Sequence, residues 1–361
     1  MQPKPSFRLL MPQGVTANPQ NCVLFMIMVV IIAFSSCKPS TSSKPDVTDI
    51  PVTMTVTRFE KELFAADSSN FNAIFEQLEQ KYPDFFAVYV EHIMKLKNGG
   101  DTSLSYRKNL FDFINNKDMR QLYDTCMAKF SDKEIAKMQT ELEQCFRYVK
   151  YYFPKRPVPQ CITHISAFGP AAFTLDEQII GINLDMYLGS ECAFYKSTDF
   201  PKFMVRRFEL PYIIPNTMKA YAKGLYPVSE RENRCIDQML YEGKLLYFLD
   251  LVMPDAPDSL KIAYQQQDIE WCKKNEATAW SYLLEHELLY NSQEREYFRL
   301  LNEAPTTSGM PPESPGRVGA WIGWQIIRKY MTQNPNVTFD QLMSIKDGQE
   351  ILKVSKYKPT S

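Results

Sequence analysis

Histidine is scarce in this chain. There are three among 361 residues: His92, His164 and His286. Zinc enzymes that hold metal on a helix need two imidazoles one turn apart on the same face. The nearest approach here is His286-Glu287-Leu288-Leu289-Tyr290, which ends in tyrosine where the second imidazole would stand. Gly-x-Ser-x-Gly, P-loop and dinucleotide-binding fingerprints are absent, as is any Cys-x-x-Cys pair. Charge of one sign is lacking too. The formal net charge is −1, and removing residues 1–36 takes away Lys4 and Arg8 but no acid. A body so nearly neutral is a poor partner for nucleic acid.

What the chain does have begins with an apolar run at 22–34 (CVLFMIMVVIIAF), preceded by Lys4 and Arg8. Thirteen residues fall short of the ~20 that span a bilayer, so the run reads as a signal-peptide core. It ends in Ser35-Ser36-Cys37, the small-residue context in which bacterial lipoproteins are cleaved and acylated on the cysteine. Two or more acyl chains at ~0.8 kcal/mol per buried methylene would hold the chain on a membrane. Residues 37–50, rich in Ser, Pro and Lys, read as a flexible tether. Lys38, rather than Asp, follows the cysteine and points to the outer membrane, on its periplasmic face. The folded body is then 51–361. Its six further cysteines, Cys126 to Cys272, fit no zinc module. Disulfides and small buried thiols are both open readings for them.

The body reads as α+β and mostly helical. Residues 52–57 (VTMTVT) alternate as a strand, and 71–150 carry helical stripes: Phe71, Ile74, Phe75, Leu78; then Phe85, Phe86, Tyr89, Ile93; then Ile135, Met138, Leu142, Cys145, Val149 behind a Ser131–Glu134 capping box. His92 falls on the second stripe, as a core histidine would. Strands are expected at 161–168 and 178–186, pairing in a small antiparallel sheet, with His164 as a packed or surface strand residue. Helices follow at 214–224, 234–251, 268–290 and 317–331. Trp280, Leu283, Leu284 and Leu288 would form the buried face of the third, with His286 turned away from it. Gly316, Gly319 and Gly323 open one side of the fourth to close packing. Thr338 with Gln341, and Asp347 with Glu350, mark caps near the end.

One stretch asks for an explanation. Residues 239–250 (MLYEGKLLYFLD) are apolar almost all round, which suits a central helix, yet Glu242, Gly243 and Lys244 lie within it. A buried carboxylate is costly unless paired or bound to metal. An Asp185–Glu242 pair for acid–base chemistry is one conceivable use.

Several segments together resemble the gliding-motility lipoprotein family GldB of the Bacteroidota. They are Tyr151-Tyr152-Phe153-Pro154, GINLDMYLG at 181–189, Tyr241-Glu242-Gly243-Lys244, SPGRVGAWIGWQIIRKYM at 314–331 and SKYKP at 355–359. The resemblance implies a non-catalytic accessory component of the motility machinery or its associated secretion system, with envelope protein partners and no cofactor. A fainter similarity runs to Glu-ligand zinc proteases: 178–186 resembles their cleft strand and Glu242-Gly243 their later helix. The zinc-binding helix between would read Met218-Lys219-Ala220-Tyr221-Ala222, without histidines or the general base. It implies a degenerate zincin-like core over 151–361, after a helical part at 51–150. Asp185, Lys219, Tyr241, Glu242 and Lys244 would be its candidate cleft, with Glu242 paired to Lys219 or Lys244. Three readings remain: an inert partner-binding lipoprotein, a hydrolase using zinc or paired carboxylates, or a protein whose cleft binds a peptide, glycan or small molecule.

Overall fold

The computed structural model describes residues 44–97, 105–230 and 232–359. Cys37 and the apolar run at 22–34 lie outside them. One compact unit spans Val47–Ser361; Val47 and Val52 are already buried in its core.

The unit begins with β1 (Val56–Arg58), α1 (Phe59–Phe64), α2 (Phe71–Lys81), α3 (Pro83–Val88), α4 (Ser105–Asn115), α5 (Lys117–Lys129) and α6 (Asp132–Tyr152). These helices form where the apolar stripes fall. Phe75, Leu78, Phe85, Phe86 and Tyr89 are buried, as are all five stripe residues of α6. Phe59 is the hub, its ring meeting Tyr82, Phe85, Phe86 and Tyr89 at centroid distances of 5.0–6.2 Å. Ser131 caps α6 by accepting from the Glu134 amide at 3.4 Å. His92 departs from expectation. A π-helical turn at Tyr89–Ile93 follows α3, and its wider period rotates His92 off the apolar face to an exposed position.

Then come β2 (Gln160–His164), β3 (Ala172–Leu175) and β4 (Ile179–Asn183), followed by a 3₁₀ turn at Leu184–Met186. The sheet order is β1-β2-β4-β3. β1, β2 and β4 run parallel, and β3 alone is antiparallel to β4. The expected antiparallel pairing of the two strands around 161–168 and 178–186 is thus corrected. The chain inserts a short edge hairpin strand between them, so they meet in parallel. Strands buried on both faces explain the continuous apolar runs of β2 and β4. Gly181 is needed because the Phe173 ring lies over it, 2.4 Å from where a Cβ would be.

The rest is helical: α7 (Ala193–Lys196), α8 (Lys202–Val205), α9 (Ile213–Leu225), α10 (Cys235–Val252), α11 (Asp258–Ile262), α12 (Gln266–Glu285), α13 (Glu294–Leu301), α14 (Val318–Gln333), α15 (Phe339–Ser344) and α16 (Gly348–Ser355). α12 stops five residues short of the expected end, where Glu287 turns left-handed (φ +51°), and Leu284 is exposed rather than buried. α10 is central, with burial running round its circumference. It crosses α14 backbone to backbone. A Cβ on Gly243 would lie 2.4 Å from the Gly323 carbonyl carbon, and one on Gly323 would lie 1.9 Å from the Met239 oxygen. Gly316 and Gly319 pack as closely on Ala304 and Leu300. Arg328 clamps this core, forking onto Asp250 and Asp258 at 2.7–2.8 Å with its guanidinium 3.7 Å from the Trp324 ring centre. Thr338 and Gln341 form their capping box, and Asp347 caps α16. The six cysteines of the described residues are all free thiols. No described helix is long and apolar enough to cross a membrane.

Candidate functional site

α9 and α10 lie side by side, and their facing polar residues open into a cleft of about 450 Å³. Lys219 is the polar break in α9, whose buried face includes Met218, Tyr221 and Ala222. Glu242 plays the same part on α10. The two meet at 2.8 Å, so the ion pair forms with Lys219 and not Lys244. Both side chains are about a quarter exposed, so the carboxylate is paired and only partly withdrawn from water. Arg317 adds a second contact to Glu242 at 3.4 Å.

Arg317 is the residue that sequence reading missed. It is buried, and it holds a left-handed conformation (φ +65°) at the start of α14, where a side chain costs ~1–2 kcal/mol. That conformation lets its guanidinium reach Glu242, Glu303 at 3.0 Å and the Ile262 carbonyl at 3.3 Å. A cationic residue heading an otherwise apolar helix was the available signal. Glu303 and Arg207 complete the network, Arg207 forking onto Glu303 at 3.0 and 2.6 Å. They come from distant segments and gave no local signal.

The electrostatics follow from this arrangement. Burial alone would raise the Glu242 carboxyl, but Lys219 and Arg317 outweigh it and hold the group at about 2. Glu303 is likewise held at about 2, with Arg317 and Arg207 overcoming its burial. A carboxylate bound this firmly to cations is a poor general base near neutral pH.

The other candidate residues are committed elsewhere. Asp185 is fully buried, and its carboxylate accepts from the Ser166 and Phe168 amides at 2.8 and 3.2 Å, stapling a turn in which Ala167 and Phe168 are both left-handed. Burial pushes it up to about 6 against those hydrogen bonds, but the acid faces its turn and does not line the cleft. Tyr241 donates to the Tyr226 carbonyl at 2.9 Å. Lys244 is buried, donates to the Ile345 carbonyl at 2.6 Å and sits 3.9 Å from buried Glu232; its burial pulls it down to about 8.

The histidines do not converge on Glu242. His164 packs among Phe85, Tyr89 and Phe173, with neither ring nitrogen hydrogen-bonded. His286 caps the end of α12 on the surface. Among the described residues no group of three or more His, Cys, Asp or Glu is arranged to hold a metal ion.

Fold and site together define a mostly helical α+β body with a charged cleft between two packed helices. Residues 40–359 match the family described as Gliding motility protein GldB, and the chain belongs to that family. No curated protein and no solved structure matches it.

Proposed function

We propose that this protein is a non-catalytic accessory component of the gliding motility or associated secretion apparatus, held on the outer membrane by acyl chains on Cys37. Family membership supplies the motility and lipoprotein context. The observation that carries the non-catalytic reading is the state of Glu242. The one acidic side chain of α10 that faces the cleft is tied to Lys219 and Arg317, the cleft's other carboxylate, Glu303, is held by the same Arg317, and among the described residues no imidazole lines the cleft. On the alignment that the faint similarity to zinc proteases implies, Lys219 would stand where their general base is required, so that similarity brings no zinc chemistry with it.

Two experiments test this. Cys37→Ala should give a folded protein that leaves the membrane fraction, whereas unchanged fractionation refutes the anchor. Glu242→Gln keeps hydrogen-bonding partners for Lys219 and Arg317 while removing the charge. It should complement a deletion strain in surface spreading or secretion. Loss of function at normal protein level, or stoichiometric zinc in the purified protein, overturns the non-catalytic reading. Cross-linking in intact cells would identify the envelope partners.

A further inference from the structure

The cleft has a feature that its ion pairs do not use. β3 is the edge of the sheet, and Ala172 lines the cleft. The Asn183 amide donates to the Ala171 carbonyl at 3.0 Å, in the same register that sets Ala172 opposite Ile182 and Thr174 opposite Ile180. Hydrogen-bonded and non-hydrogen-bonded pairs alternate in an antiparallel ladder. Ala171, Phe173 and Leu175 therefore bond inward to β4, and the N–H and C=O groups of Ala172 and Thr174 point outward. Among the described residues these outward groups have no hydrogen-bond partner. An open strand edge is a template for pairing with another extended chain.

Charge and shape narrow the occupant. Four cations line or reach the cleft (Arg207, Lys219, Lys223 and Arg317) against two carboxylates, Glu242 and Glu303. Lys223 is exposed, one turn along α9 from Lys219, and makes no ion pair among the described residues. The excess of positive charge favours an anion. Phe168, Phe200 and Phe208 wall the same space with apolar surface.

We propose that this cleft binds an extended peptide segment by strand addition to β3, with a carboxylate of the peptide, at its C-terminus, received by Lys223 and the neighbouring cations. Backbone pairing to Ala172 and Thr174 supplies affinity without strong sequence preference, the aromatic wall takes alternate side chains, and the carboxylate sets direction and register. This goes beyond the accessory role and does not depend on the lipid anchor.

The test uses the full chain in detergent micelles and fluorescence polarisation of labelled Val-Thr-Val-Phe-Val. Three forms are compared: free C-terminal acid, C-terminal amide, and free acid with alternate backbone nitrogens methylated. The free acid should bind saturably, with the amide and the N-methylated peptide each weakened ten-fold or more. Lys223→Gln should weaken the free acid several-fold with an unchanged melting temperature. The idea is overturned if the free acid fails to saturate or if the amide binds as well as the acid. It is equally overturned if the N-methylated peptide binds undiminished, or if hexanoate competes as tightly as the peptide, since either means that no strand is added.

Discussion

Lys219→Met isolates the ion pair at the centre of the cleft. The substitution keeps the length of the side chain and removes its charge. A buried carboxylate that loses its partner costs ~3–5 kcal/mol, whereas an exposed pair is worth ~0–1 kcal/mol. Glu242 falls between these limits, being a quarter exposed and retaining Arg317 at 3.4 Å. We therefore expect a loss of about 2 kcal/mol by urea unfolding, and a fall in melting temperature of about 3–4 °C for a body of this size. Lys219→Met combined with Glu242→Met should recover most of it, because an apolar pair leaves no orphaned charge while Arg317 keeps Glu303 at 3.0 Å. A coupling of about 1–2 kcal/mol should emerge from the full cycle. The pH dependence has a definite sign. Glu242 is held at about 2 in the folded state, below the ~4.3 of a free glutamate, so its contribution is complete above that value and fades as pH falls toward 2. The deficit of Lys219→Met should be full at pH 7 and begin to shrink below about pH 4. A single variant that melts like the parent, or a double variant no better than the single, refutes the assignment.

Further outcomes follow from other parts of the core. Gly323→Ala would gain ~1 kcal/mol from helix propensity alone, but its methyl would meet the Met239 oxygen at 1.9 Å. A net loss of about 3 kcal/mol in chemical denaturation is expected, and a neutral or stabilising result contradicts the close α10–α14 crossing. Burial depresses His164 to about 3, so its stability contribution is whole above ~6.5 and drains as pH drops toward 3. Between pH 6.5 and 5 that is about 2 kcal/mol, which His164→Phe should abolish; equal acid sensitivity in the variant would disprove it. Arg328→Lys cannot fork onto Asp250 and Asp258 or stack on Trp324, so it should lose about 1–3 kcal/mol by urea denaturation although its charge is kept.

Where the sequence read well, it did so because one local pattern sufficed. The five-residue stripe of α6, the all-round apolarity of α10 and the glycine face of α14 each state their burial within one element. Where it read poorly, the deciding partner lay far away. Residues 172–175 (AFTL) are too short to announce a strand, and β3 exists because β4 pairs with it. The parallel pairing of β1 with β2 joins segments about a hundred residues apart, and nothing in either strand encodes direction. His92 was misplaced because a single π-helical turn shifts the phase of an otherwise regular stripe. At the site, Glu242 stood out as a carboxylate in an apolar helix. Arg207 and Glu303 are ordinary surface residues in sequence, and acquire their meaning from the buried Arg317 that joins Glu303 to Glu242.

The charges of the cleft ask for a reason beyond stability. Replacing an ion-paired cluster by apolar residues is often neutral or stabilising, so the pairs among Glu242, Lys219, Arg317, Glu303 and Arg207 are weakly explained by stability. Arg317 sharpens the point, because its left-handed backbone sets a cost against the contacts it makes. Such a conformation survives where the surrounding structure holds it and where the resulting geometry is used. Here that geometry fixes two carboxylates and leaves an excess of positive charge beside an unpaired strand edge. A structural ion pair alone accounts for Lys219 and Glu242; it leaves the strained arginine and the edge of β3 without a purpose, and the peptide segment proposed above would give the edge one.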